Sequence, residues 1–256
     1  MKNILFFLLL LLSASIQSQN IKVSYKQYQN YDYTAVMPLY LYINTLENTS
    51  ALIQDIDKES MYLNDNEPSK SDYNASSDRT NPYDFILLDL NNKTIEIYED
   101  FARKAYKVND VFPEIKWRLV DEQKTINNIQ VNKAVGTYRG NTWNVWYAPS
   151  IPYSFGPWKL NGLPGLILEA KDIAGNISFN AEKVEYNVAC NDCVPPKNSY
   201  HKINLKEYLL LQDKFFNDVD FDLPRGTTVT IDKKSILTKE LKFEFPINFS
   251  WETDKK

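Results

Sequence analysis

Ile151-Pro152-Tyr153-Ser154-Phe155-Gly156-Pro157-Trp158-Lys159-Leu160-Asn161-Gly162-Leu163-Pro164-Gly165-Leu166-Ile167 crowds three Gly/Pro-containing turn signals, Gly156-Pro157, Asn161-Gly162 and Pro164-Gly165, into ten residues. Pro at the second and Gly at the third position predict a type II turn, because Pro presets φ near −65° and Gly accepts the positive φ that a Cβ resists. Beyond it, Leu166 to Ala170 alternates as a strand, Asp172 to Asn176 turns, and Ile177 to Glu185 returns. The unit reads as a rigid turn feeding a β-hairpin. Its groups are aliphatic or backbone and supply no nucleophile, acid or metal ligand. Pro157 and Pro164 remove donors that a phosphate cradle needs, and a strand rather than a helix follows. Gly156, Pro157, Gly162, Leu163, Pro164, Gly165, Leu166 and Ile167 are therefore expected to be structural.

The same period of two runs outward. Leu39, Leu41 and Ile43 alternate with Tyr40, Tyr42 and Asn44. Tyr83 to Leu90 and Thr94 to Tyr98 make a hairpin around Asn91-Asn92-Lys93, and Ile115–Val120, Ile129–Tyr138 and Thr142–Tyr147 read as further strands. One segment is helical: from Leu205 to Phe216, the residues Leu205, Tyr208, Leu209, Gln212 and Phe216 share a face, with Asn204 as N-cap. Asp65 to Thr80 is polar and charged and is expected to be a mobile loop near 65–80, and Leu241 to Trp251 alternates as a last strand. The fold class predicted is mainly β (α+β): a single curved antiparallel sheet or half-barrel, with the one helix, from the C-terminal half, packed on a face.

Residues 1–18 have the three-part design of a secretory signal: Lys2, an apolar run of nine residues from Ile4 to Leu12, and a small polar stretch from Ser13 to Ser18. The run falls short of the about twenty residues that span a bilayer. Cleavage after Ser18 would leave residues 19–256 as one domain, exported to the periplasm or beyond, with no transmembrane span after cleavage. The net charge of −4, with Lys and Arg dispersed, argues against a nucleic-acid partner. With 17 Tyr and 13 Phe against 7 Gly, the composition suits half-buried strands.

Taken with its upstream sequence, the opening stretch resembles the bacterial GLPGLI family, named for Gly162 to Ile167. The resemblance also rests on Asn132-Lys133-Ala134, Tyr138-Arg139-Gly140, Trp146-Tyr147-Ala148-Pro149 and Gly156-Pro157. It implies a secreted or periplasmic location and no particular activity.

Candidate sites are few. Cys190-Asn191-Asp192-Cys193 is expected to form a structural disulfide in an oxidising compartment. A redox pair would want a helix after it, and Val194-Pro195-Pro196 starts one poorly. A zinc site needs more ligands than His201, the only histidine, can add. No catalytic, cofactor-binding or metal-binding residue is assigned. Glu169 and Asp172 are the carboxylates to inspect for hydrolytic chemistry. Trp143, Trp146, Tyr147 and Trp158 are the candidate ligand or partner surface, with core packing as the alternative. The expectation is a non-catalytic envelope protein that binds an apolar or peptide ligand, or serves as accessory to an outer-membrane transport or assembly complex. A carboxylate-dependent hydrolase and a CxxC thiol- or metal-handling protein are the alternatives.

Overall fold

Strand β1 (Ile21–Asn30) sets the pattern for the whole molecule: every second residue, from Ile21 to Gln29, is buried and the residues between are half-exposed. A strand with one apolar side needs neighbours to share that side, and twelve more provide it. They are β2 (Thr34–Asn44), β3 (Thr49–Asp55), β4 (Met61–Tyr62), β5 (Tyr83–Asp89), β6 (Thr94–Phe101), β7 (Lys104–Asp110), β8 (Trp117–Ile126), β9 (Ile129–Tyr138), β10 (Asn141–Ala148), β11 (Leu166–Asp172), β12 (Ile177–Tyr186) and β13 (His201–Asn204), followed by helix α1 (Leu205–Asp218). The computed structural model describes residues 20–30, 34–55, 61–62, 83–102, 104–112, 114–190, 193–195 and 199–218. The signal segment 1–18, the loop 65–80 and the strand at 241–251 lie outside the described residues.

The strands form one sheet in the order β13-β7-β6-β5-β3-β2-β1-β12-β11-β10-β9-β8, with β4 pairing beside β2. The sheet is open and mostly antiparallel. It departs from the wholly antiparallel expectation at one edge, where β13 runs parallel to β7. The reason is the path taken: the chain leaves β12 in the middle of the sheet and crosses to the far edge, and such a crossover can deliver a parallel strand.

Curvature follows from connectivity. β7 and β8 lie near opposite ends of the row, yet only seven Cα steps join Asp110 to Trp117, which span no more than about 25 Å. The sheet must curl until its two ends approach. Its concave side holds a continuous core drawn from β1 to β3, β5 to β7 and β9 to β12. Two inserts fill that concavity. Helix α1 buries Leu205, Tyr208, Leu209 and Gln212 against it, and Asn204 Oδ1 accepts the Glu207 N–H at 2.9 Å as its N-cap. The second insert is the loop 149–165 between β10 and β11, in which Phe155, Lys159 and Leu160 are wholly buried.

A buried loop has to satisfy its own backbone. Here Gly162 N–H donates to Ser154 O at 3.1 Å, Leu166 N–H to Ile151 O at 2.9 Å and Ile167 N–H to Phe155 O at 2.9 Å. Tyr25 Oη donates to Ile167 O at 2.6 Å. Ile167 thus spends both peptide groups on the loop and on β1, and the β10–β11 pairing shifts register at that point. The type II turn is replaced. Gly165 N–H bonds Leu163 O at 2.8 Å, a three-residue turn centred on Pro164, because Leu166 N–H is taken by Ile151. Gly165 is required for a further reason: a Cβ there would lie 2.3 Å from Ala148 O, at a φ of +156°.

Gly165→Ala is expected to destabilise the protein by about 3 kcal/mol or more, through backbone overlap added to conformational strain. Gly162→Ala, at φ +89° but with 3.7 Å to the nearest Trp117 atom, should cost about 1–2 kcal/mol. Denaturant midpoints of the two variants check the order.

Candidate functional site

The buried loop carries a charge into the core. Lys159 is 0% exposed in its side chain, and its Nζ donates to Asp110 Oδ2 at 2.7 Å. Asp110, at the end of β7, also accepts from Arg139 Nη2 in the β9–β10 turn. The β9–β10 turn and the β10–β11 loop, neighbours in the sheet order, meet the end of distant β7 on one carboxylate. Desolvation lowers the Lys159 ammonium to about 8, with Asp110 pulling it upward and Arg139 downward. Glu99, on the concave side of β6, adds a weaker upward pull and is held by Gln212 Nε2 of α1 at 3.4 Å. Around this cluster runs a train of rings: Tyr138 packs on Trp158 at 5.1 Å, Trp158 on Trp143 at 5.7 Å and Trp143 on Phe179 at 6.1 Å. The Tyr138 hydroxyl is buried with no hydrogen-bond partner among the described residues, and burial raises its pKa.

This geometry decides most of the expected site residues. Trp143, Tyr147 and Trp158 are core residues, at 0%, 4% and 2% exposure, and present no surface. Trp146 alone faces outward, half-buried, with Lys124 Nζ 4.4 Å and Lys133 Nζ 5.7 Å from its ring centroid. The four therefore do not form one ligand surface, because alternation along β10 sends Trp146 to the other face. Glu169 and Asp172 part for the same reason: Glu169 pairs with Lys124 at 2.6 Å on the outer face, and buried Asp172 accepts the Ile177 N–H at 2.8 Å. His201 is exposed, its ring against Tyr106. Gly156 and the hexapeptide lie within or beside the buried loop. Among the described residues no cluster of His, Cys, Asp or Glu is arranged to hold a metal.

The convex side offers a different site. β12 lies beside β1 and β13 beside β7, and of the strap between them residues 187–190, 193–195 and 199–200 are described, with Cys193 and Tyr200 on the outer face of the sheet. This strap carries the Cys190–Cys193 disulfide. At its far end Cys193 and Tyr200 pack on Ile53, Phe85 and Tyr98, and the Tyr98 and Tyr200 rings meet edge-on at 5.0 Å. Nearer its start the strap stands off the strands, leaving a recess of about 460 Å³. Tyr42, Ala51 and Leu87 form the floor, Cys190, Cys193 and Val194 one wall, and Asn44, Glu47, Thr49, Asp89, Thr94 and Glu96 the polar rim. Sequence reading missed this place because its residues come from separate segments of the chain, and the CxxC, the one motif among them, was read only as a disulfide.

Comparison with known proteins adds the following. Residues 88–169 match the family described as "Protein of unknown function (Porph_ging)", a stretch that runs from β5 into β11 and contains the hexapeptide. No curated protein matches the chain significantly. Among solved structures, PNGF-II in a P21 crystal shares 17% identity, over 75% of this chain and 32% of its own, with a TM-score of 0.51. A C2 crystal form of PNGF-II gives 16% identity, 73% and 31% coverage and a TM-score of 0.46. A LolA superfamily protein from Nitrosomonas europaea gives 8% identity, 69% and 89% coverage and a TM-score of 0.27. The first likeness is one of fold, and the chain spans about a third of that protein's length. The lower scores carry no argument. No helix among the described residues is long and apolar enough to cross a membrane.

Two outcomes follow from the site's electrostatics and covalent chemistry. Lys159 has a folded pKa below its unfolded value, so its burial penalty is carried in full below pH 8. It is relieved as pH rises, while the unfolded chain still holds the proton. Unfolding free energy measured for the wild type minus that for Lys159→Met should therefore increase by about 2 kcal/mol between pH 7.5 and 9.5. A flat difference would contradict the depressed lysine. Cys190→Ser with Cys193→Ser removes a very short loop closure and should cost no more than about 2 kcal/mol. Hydrogen exchange should then speed up in the strap amides and remain slow in the strands beneath.

Proposed function

We propose that this chain is a non-catalytic ligand-binding protein of the bacterial envelope, of GLPGLI type, that takes its ligand in the recess between the strap and the outer face of the sheet. The observation that carries the reading is the recess itself: about 460 Å³ with an apolar floor and a polar rim, within the usual range for small-molecule sites, roughly 300–1,000 Å³. The concave face, where the rings were weighed as a ligand surface against core packing, is filled by the protein's own loop and helix. A ligand on that side would have to displace core.

Export by residues 1–18 belongs to the same reading, and a bridged Cys190–Cys193 suits an oxidising compartment. The carboxylate-dependent hydrolase loses its best pair, since Glu169 and Asp172 face opposite sides. For the thiol alternative, the two cysteines are bridged, and Val194 and Pro195 do not begin the helix that a redox pair wants. Service as an accessory to a larger envelope complex remains compatible with a ligand site on the exposed face.

The test is to express the full chain with its own N-terminus and recover it from the envelope fraction. Intact-mass measurement under native and unfolding conditions follows. A mature protein beginning at Gln19, carrying a small molecule released on unfolding, is the expected result. Ala51→Phe, which fills the recess floor, should fold and emerge without it. Equal occupancy in the two proteins, or none in either, would overturn the recess as a ligand site.

A further inference from the structure

The recess is polarised along its length, and among the described residues its lining contains three carboxylates, from Glu47, Asp89 and Glu96, and no Lys, Arg or His. The polarity follows strand register. On the outer face Thr49 pairs with Asp89, Ala51 with Leu87 and Ile53 with Phe85, so each step of two residues moves from polar to apolar. One such step is about 7 Å. The apolar end is closed by Cys193 and Tyr200, packed on Ile53, Phe85 and Tyr98. The polar end lies at the β2–β3 and β5–β6 turns.

The carboxylates differ in what they have left to offer. Glu96 is satisfied: its Oε1 pairs with Lys107 at 2.6 Å and its Oε2 accepts the Tyr98 hydroxyl at 2.7 Å. Asp89 Oδ1 accepts the N–H groups of Asn91 and Asn92 at 2.9 and 2.8 Å, and Oδ2 accepts Asn92 Nδ2 at 2.7 Å. These are donors without positive charge, and they hold the carboxyl below its ordinary range. Asp89 therefore keeps its negative charge with no cation balancing it among the described residues of the lining. Glu47, on the facing turn, adds a second.

We infer that the recess selects a cationic amphiphile: a ligand with an ammonium head at the Glu47–Asp89 end and a short apolar body along Ala51, Leu87 and Tyr42 toward the disulfide. This rests on the recess being the binding site, as proposed above. An anionic ligand of the same shape meets two carboxylates that no cation among the described lining residues balances, and a neutral one gains only the floor. The length is set by the strap. With the head at Asp89 and the wall at Cys193, two register steps separate the ends, which matches a chain of roughly eight carbons rather than a full lipid tail.

The experiment uses the purified mature protein and three probes of equal chain length at pH 7.5 and low salt: octylammonium, 1-octanol and octanoate, each titrated by calorimetry. Octylammonium should bind at least ten-fold tighter than 1-octanol, and octanoate more weakly than either. Raising the salt to 0.5 M should narrow the spread, since half-exposed charges are screened. Glu47→Gln should cut the preference for octylammonium several-fold and leave 1-octanol unchanged. Ala51→Phe and, independently, Thr49→Tyr at the rim should abolish all three. If 1-octanol binds as well as octylammonium and both variants block it, the recess stands as a site and the cationic selectivity is overturned. If no probe binds, or binding survives both blocking variants, the recess reading falls with it.

Discussion

A single carboxylate, Asp110, holds the two ends of this sheet together. It sits at the end of β7 and takes both Lys159 from the buried loop and Arg139 from the turn between β9 and β10. In the order of the strands these groups belong to opposite halves of the sheet. The clasp exists only when the sheet has curled and the loop 149–165 has entered the concave side. Burying an ammonium costs several kcal/mol even when it is paired, and the lowered pKa of Lys159 records that cost. What the pair contributes is specificity, as an ion pair that can form in one arrangement of loop and sheet. Leaving either partner alone in the core would be worse than any apolar substitute.

The rest of the interior is arranged around that loop. Its backbone is satisfied by internal bonds and by the first residues of β11, and Tyr25 reaches across from β1 to hold Ile167. Trp158 lies in the left-handed region at φ 53°, with its ring packed between Tyr138 and Trp143. A strained residue, a buried lysine and a glycine that tolerates no Cβ all fall within eight residues of one another. With the concave side thus occupied, the molecule's accessible chemistry passes to the convex side. There Cys190, Cys193, Val194 and Tyr200 of the strap stand against outward residues on β2, β3, β5 and β6.

Much of the fold was legible. β9, β10 and β12 fall almost where alternation places them, the hairpin of β5 and β6 turns at Asn91 to Lys93, and α1 starts at its Asn204 cap. The reason is local: a strand with one wet side writes its period into its own sequence. Lys159 was not legible as a buried charge. A lysine between Trp158 and Leu160 looks like any exposed interruption of an apolar run, and its partner Asp110 lies 49 positions upstream. The rings of β10 were legible as two faces, and which face meets solvent was not, since that depends on what the loop covers. The turn at Pro164-Gly165 departed from its expected type because a distant carbonyl, Ile151 O, captured the Leu166 N–H on which the type II turn depends.

From its sequence alone, this protein is a β-rich chain with a Gly/Pro-dense segment of structural rather than catalytic character, an apolar N-terminal segment and a CxxC that suits a bridge. These follow from properties that neighbouring residues carry between them: period, turn geometry, hydropathy and spacing. Tertiary structure decided the rest. It placed the hexapeptide loop inside the core, set Asp110 between two cations, parted Glu169 from Asp172, and opened a recess among Glu47, Ala51, Leu87, Asp89 and Cys190. Each of these brings together groups far apart in the chain, and only the curling of the sheet and the path of the strap determine which of them meet.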